Sequence, residues 1–228
     1  MMTPRWQTVL FDLDGTLCDT IGLIIASYQH SLREVLGYEE DEQVIRGWIG
    51  KTLADTFSAH EQAALLESTY VKYNLANLAR LQRSYEGVRE LVAELDAAGV
   101  RCGIVTSKRT ATAHLSLEAA GLDAMIEVLG AMEDSTHHKP HPEPLLNALA
   151  KLGSTGEGVV YVGDATVDLL AASAAGLAGV GVLWGAGVRA DLEVLPHEAI
   201  CATVSELREA LFVTSEGVVS ADAAENRT

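Results

Sequence analysis

Aromatic residues make up only 5% of this 228-residue chain, and Lys plus Arg number 16 against 32 Asp plus Glu. With so few rings, the 48% hydrophobic content must come mainly from Ala, Leu and Val, which suits packed helices and buried parallel strands. The shortage of cations leaves a formal net charge of -16. Nucleic acids and anionic membranes are bound through basic surfaces, so neither is an expected partner. A small anion remains possible where a few cations and a metal ion reverse the potential inside one cleft.

Cysteine is scarce too: Cys18, Cys102 and Cys201 are odd in number and far apart, with no CxxC pair for redox or zinc chemistry. They are expected to be free thiols. The N-terminal apolar run is too short for a secretory signal and ends at Asp12, so a cytoplasmic protein is expected, as a monomer or homodimer. No internal repeat is visible. The stretch Leu169–Val188 carries no charge and is long enough for a bilayer, but Gly176, Gly179 and Gly181 divide it into a helix ending near Ala175 and a short strand.

What is there is alternation. TVLFD at the start, then runs at Val100–Thr106, Met125–Gly130, Val159–Asp164 and Gly179–Leu183, read as five buried strands. Helical spacing over 110–120, 143–152 and 167–175 separates the last four, which predicts an α/β fold with a parallel sheet and helices on both faces. From Ile21 to about Arg83 the rhythm breaks into helical patterns alone: an amphipathic helix closed by Gly37, and a long pattern from Glu61 to Leu81 that could return antiparallel to it. Residues 1–19 and 84–213 are therefore expected to form one core domain, 20–83 an inserted helical domain, and 214–228 a disordered tail.

Ligands gather at the carboxyl ends of parallel strands. There the sequence places Asp12-Leu13-Asp14-Gly15-Thr16, then Thr106-Ser107-Lys108, then Gly163-Asp164 with Asp168 a turn later, and Lys139 in the loop HHKPHPEP. This series resembles the haloacid dehalogenase superfamily, whose signature opens with DxDGT, here FDLDGTLCDT, and it covers nearly the whole chain in order. The resemblance implies a Rossmann-like core with a helical cap and hydrolysis of a small phosphorylated metabolite. It assigns Mg2+ to Asp12, the Asp14 carbonyl and Asp164, with Asp168 orienting a metal-bound water.

The chemistry fits these residue types. Phosphate esters repel nucleophiles, so positive charge and in-line positioning are needed. Asp12 would attack phosphorus and form an aspartyl-phosphate, while Asp14 would protonate the leaving oxygen and later deprotonate water. Thr106 and the Ser107 amide would hold phosphate oxygens, with Lys108 beside them. Lys139 would neutralise the nucleophile and the transferring group. Lys51, after Gly50 in the helical insertion, could reach the far end of a substrate or be an ordinary surface lysine.

Taken singly, each motif has a plainer reading: DLDG as a turn, Thr106 and Ser107 as helix caps, Lys139 as a solvated loop lysine. Their order favours chemistry. His137, His138 and His141 invite a zinc site, but the neighbouring prolines and the lack of a clear fourth ligand point to an exposed loop. Position 165 is Ala where the superfamily often has Ser, Thr or Asn, which predicts a less finely tuned metal site. The layout is most similar to the phosphoglycolate phosphatase group, while DTFS and GIVTSKR are similar to PpaX-type pyrophosphatases. A β-phosphoglucomutase-like phosphotransfer and a non-catalytic phospholigand-binding role are further alternatives. Asp14 disfavours dehalogenase or phosphonatase chemistry.

Overall fold

Successive residues of the strand Thr8–Phe11 serve two separate cores: Val9 and Phe11 pack with Leu91, Leu95 and Leu117, whereas Leu10 packs with Leu145, Leu149 and Tyr161. That is the signature of a strand covered by helices on both faces. A computed structural model describes residues 2–214 and gives the elements in chain order. β1 (Met2–Pro4), β2 (Thr8–Phe11) and a two-residue β3 (Cys18–Asp19) come first. Four helices follow: α1 (Ile21–Leu36), α2 (Glu42–Arg46), α3 (Leu53–Phe57) and α4 (Ala63–Leu81). β4 (Arg83–Ser84) leads into α5 (Val88–Ala97), β5 (Arg101–Val105), α6 (Thr110–Ala120), β6 (Glu127–Gly130) and α7 (Glu143–Leu152). The chain continues through β7 (Val159–Gly163), α8 (Thr166–Ala174), β8 (Ala178–Val182), α9 (Arg189–Leu192), β9 (Ala199–Cys201), α10 (Val204–Leu211) and β10 (Phe212–Thr214).

Six of these strands form one parallel sheet in the order β6-β5-β2-β7-β8-β9. The strand order reverses at β2, which lies between β5 and β7 with Phe11 opposite Ile104 and Val162. This register brings the carboxyl ends of the three strands together, and with them Asp12, Thr106 and Asp164. The faces are held by amphipathic helices such as α5, whose Val88, Leu91, Val92 and Leu95 are all buried. Each such side chain contributes on the order of 2 kcal/mol.

The chain leaves the sheet through β3 and returns through β4, which pair antiparallel, Cys18 with Ser84 and Asp19 with Arg83. Between them α1 and α4 lie antiparallel: Ser31 Oγ donates to Leu66 O at one level, and Asn74 Nδ2 donates to Ser27 Oγ at the next. Ile24, Tyr28, Leu32, Phe57, Leu66 and Tyr70 give this helical segment its own core. α1 ends at Gly37 in the left-handed conformation, φ 75, as its position predicts.

All five expected strands are present, with small end shifts: the third begins at Glu127 and the fifth runs Ala178–Val182. β9 escaped the sequence reading because three residues carry no period, and the β1–β10 and β3–β4 pairs are shorter still as signals. Thr214, expected in a disordered tail, pairs with Met2; the rest of that expectation, 215–228, lies outside the described residues. Among the described residues no helix is long and apolar enough to cross a membrane.

Candidate active site

Asp12 continues β2 and donates its backbone N–H to Val162 O, so its side chain starts from a fixed point at the centre of the sheet. The next residues turn sharply. Gly15 has φ 81, and a Cβ there would collide with the Asp164 carboxylate, so only glycine lets the turn close over the end of β7. Asp164 follows Gly163, and Asp168 lies in the first turn of α8, where its Oδ2 accepts the Ala165 N–H at 2.9 Å.

Lys139 ties these carboxylates together. Its Nζ donates to Asp12 Oδ1 at 2.9 Å, to Asp168 Oδ1 at 2.6 Å and to the Tyr161 hydroxyl at 3.0 Å, with only 1% of its side chain exposed. Tyr161 in turn donates to Val105 O at 2.8 Å. Burial alone would lower the Lys139 pKa, but Asp12 and Asp168 outweigh it and hold the ammonium well above its ordinary value. Burial raises Asp12 to about 7 even though Lys139 pulls the other way. Burial, reinforced by Asp168 and Asp12, raises Asp164 well above the carboxylate range.

Carboxylate oxygens of Asp12, Asp164 and Asp168 lie within 4.8 Å of one another. At an effective dielectric of about 20, two like charges at that spacing repel by roughly 3 kcal/mol, and one lysine cannot balance three carboxylates. Asp164 Oδ2 accepts the Ala186 N–H at 2.6 Å, but its Oδ1 is buried without a hydrogen-bond partner among the described residues. An orphaned buried carboxylate oxygen inside an all-oxygen donor set fits a hard divalent cation such as Mg2+. Asp168 has both oxygens engaged by protein donors, so Asp12 and Asp164 are the carboxylates available to such an ion.

Of the other expected residues, Thr106 is buried beside Asp12 in the cavity wall, and its Oγ1 accepts the Lys108 N–H at 3.2 Å, leaving its own proton to donate. The Ser107 hydroxyl, for which the sequence suggests no partner, donates to Gly50 O at 2.7 Å and joins the sheet end to the helical segment. Lys108, expected on the substrate, lines the same cavity and places Nζ on both Asp14 oxygens at 2.7 and 3.1 Å, and Thr20 Oγ1 donates to Asp14 Oδ1 at 2.7 Å. The Asp14 side chain accordingly lies outside the carboxylate trio while lining the same cavity. Lys51 is exposed at the cavity rim and makes no ion pair among the described residues. The cavity, about 90 Å³, is roofed by Trp48, Ile49, Leu53, Tyr70 and Val71 and floored by Asp12, Asp14 and Thr106.

Three contributors were missed from sequence. Tyr161, which seats Lys139, had a weak signal as the one hydroxyl in its own buried strand, β7. Ala186 and Gly185 had less: a Cβ at Gly185 would meet both the Asp164 side chain and the Gly15 carbonyl, a close approach visible only in three dimensions. Ala165 is buried and offers no side-chain hydrogen bond at the start of α8.

Residues 9–182 match the family described as haloacid dehalogenase-like hydrolase. A pyrophosphatase PpaX from Bacillus cereus is 37% identical over 203 residues, covering 88% of this chain and 94% of its own. A hydrolase from Pseudomonas syringae superposes with a TM-score of 0.80 at 27% identity, over 89% of this chain and 98% of that one. A predicted phosphoglycolate phosphatase from Haemophilus somnus, at 24% identity and a TM-score of 0.78 over 89% and 96% of the two chains, shares the fold.

Proposed function

The chain belongs to the haloacid dehalogenase-like hydrolases, and from that premise we propose that it hydrolyses a small phosphate monoester through an aspartyl-phosphate on Asp12, with Mg2+ held by Asp12, Asp164 and the Asp14 carbonyl. The observation that carries the reading is the buried trio of carboxylates with a single lysine among them and one oxygen of Asp164 left without a partner.

In this reading an Asp12 oxygen attacks phosphorus, the new Asp12 O–P bond forms and the bond to the leaving oxygen breaks. Lys139 fixes the rotamer of Asp12 and offsets negative charge on the transferring group. When bound, Mg2+ supplies the positive charge that lets an anionic nucleophile approach an anionic phosphate. Asp14, entering the step protonated, gives the leaving oxygen its proton, then takes one from the water that cleaves the acyl-phosphate, so that phosphate departs, Asp12 is again a carboxylate and Asp14 again carries its proton. Thr106 Oγ1 and the Ser107 amide, which makes no hydrogen bond among the described residues, hold the phosphate oxygens. Residues 20–83 act as a cap. The Ser107–Gly50 hydrogen bond and the apolar roof over Asp12 support that role, because a covered site keeps water from competing during transfer and admits only small substrates.

A phosphoglycolate-like monoester is the leading candidate among the small substrates that a covered site admits. A second substrate, inorganic pyrophosphate, is favoured by the name of the relatives at 36–40% identity. Free thiols at Cys18, Cys102 and Cys201 support a reducing, cytoplasmic setting. The test is phosphate release from p-nitrophenyl phosphate with Mg2+, expected in wild type and abolished in Asp12→Asn; release equal to the variant's background would overturn the reading. A comparison of kcat/KM for phosphoglycolate, pyrophosphate and hexose phosphates then separates the substrates.

A further inference from the structure

The loop that brings Lys139 to Asp12 also carries three imidazoles on its outer side. His137 and His141 are exposed, their rings 4.7 Å apart and tilted by 33°, and both lie against Glu143, the first residue of α7. One donor atom from each of His137, His141 and Glu143 falls within a 4.8 Å cluster. We propose that these three side chains bind a transition-metal dication of the Zn2+ class, at a site separate from the carboxylate trio.

The donor set decides the metal. Two imidazole nitrogens and one carboxylate oxygen suit Zn2+, which accepts mixed N/O ligands in a tetrahedron and commonly keeps water in its fourth position. Mg2+ demands oxygens and near-octahedral geometry, so it has little affinity for this set and belongs to the trio. Bonds of about 2.0–2.1 Å put tetrahedral donors roughly 3.4 Å apart, so the cluster must contract by an ångström or so. Exposed histidine rings can make that movement by side-chain rotation alone.

Glu143 is the fixed element. Its Oε1 accepts the Thr136 N–H at 2.7 Å and its Oε2 accepts the His137 N–H at 3.2 Å, so the carboxylate is held in place before any ion arrives. The Thr136 bond, followed by the His137 side chain, keeps its pKa below the usual range, and it is ionised when needed. Pro140 and Pro142 restrict the backbone between the ligands, which reduces the ordering cost of binding. Two contacts must be exchanged. The His137 Nδ1 to Glu143 Oε2 contact at 2.7 Å gives up its shared proton to solvent as the ion takes its place. The Glu143 N–H to His141 Nδ1 bond at 3.2 Å is released if the ion uses that nitrogen. His138 lies outside the cluster, so water completes the shell. Glu143, two residues past His141 and hidden as a helix start, thus takes the place that sequence reasoning gave to His138, and the fourth position falls to water.

The test is Zn2+ binding to the full chain by calorimetry in millimolar Mg2+, which keeps the trio filled, together with Co2+ absorption spectra. Wild type is expected to bind one Zn2+ that Mg2+ does not displace. His137→Ala/His141→Ala should lose that binding, and Glu143→Gln should weaken it at least tenfold, while both variants keep Mg2+-dependent phosphate release. The Co2+ form should lack thiolate charge-transfer bands. Unchanged Zn2+ affinity in the double variant, thiolate bands, or no Zn2+ bound beside Mg2+ would each overturn the site. None of these readouts depends on the substrate.

Discussion

Replacing Lys139 by Met tests the charge balance of the site while nearly preserving side-chain length. Lys139 makes three buried polar contacts, two of them to carboxylates at 2.9 and 2.6 Å. Removing one partner of a buried ion pair costs roughly 3–5 kcal/mol, because the charge left behind has lost its hydration and its counterion. For a chain of this size that is on the order of 10 °C in Tm. The deficit must depend on pH. The folded-state pKa of Asp12 is already raised, to about 7, against an ordinary 3.8, so the folded form favours its protonated state. A group with a raised folded pKa contributes stability that is full below its unfolded value and lost as pH rises through the folded one. Without Lys139 the folded pKa moves higher still, so the deficit of Lys139→Met should be small near about pH 5 and should keep growing above about pH 7. Melting curves in chelator across that range measure it, and adding Mg2+ should restore part of the loss at high pH. Phosphate release should fall by about two orders of magnitude or more. A variant that melts within about 2 °C of wild type at about pH 8 in chelator, or that keeps kcat/KM within about threefold, would refute the account of Lys139 as the balancing cation.

For the wild type in chelator, raised Asp12 and Asp164 pKa values mean that stability declines from about pH 4 to beyond pH 7. The Tm gain from Mg2+ should therefore grow with pH over that window, and a gain that is flat with pH would contradict it. Gly185→Ala forces a methyl into the Asp164 carboxylate and the Gly15 carbonyl; the chain should still fold, judged by circular dichroism, but bind Mg2+ about 10–100-fold more weakly by activity titration. Lys51→Ala removes a rim cation and should raise KM for substrates with a second anionic group while leaving kcat within about twofold. An equal loss of kcat would place Lys51 at the reacting phosphate instead.

The core was legible because its strands are short, largely apolar runs whose carboxyl halves are buried, and such runs keep their character whatever the neighbouring strands do. β2, β5, β6, β7 and β8 all announced themselves in this way. The strand ends then located the chemistry, since a polar residue directly after a buried strand must lie at the sheet's rim. Asp12, Thr106 and Asp164 converge there for no other reason than register. β9 and the two short antiparallel pairs were illegible because two or three residues establish no period, and their pairing comes from the elements that carry them.

The site itself was readable only where a residue type carries its role on its face. A carboxylate at a strand end has few other reasons to be there, but Lys108 shows the limit. A cation two residues after Thr106 reads from sequence as a substrate ligand, but the sequence gives no sign that Asp14, 94 positions earlier in the chain, would pair with that ammonium. The same holds for Ser107, whose hydroxyl answers the Gly50 carbonyl that the helical segment delivers. In each case the sequence reveals a group's capacity to bond, and the fold chooses the partner. It follows that Gly50, Gly185 and Glu143, which have no reactive chemistry of their own or one masked by a helix start, could be assigned only after the partners they meet were known.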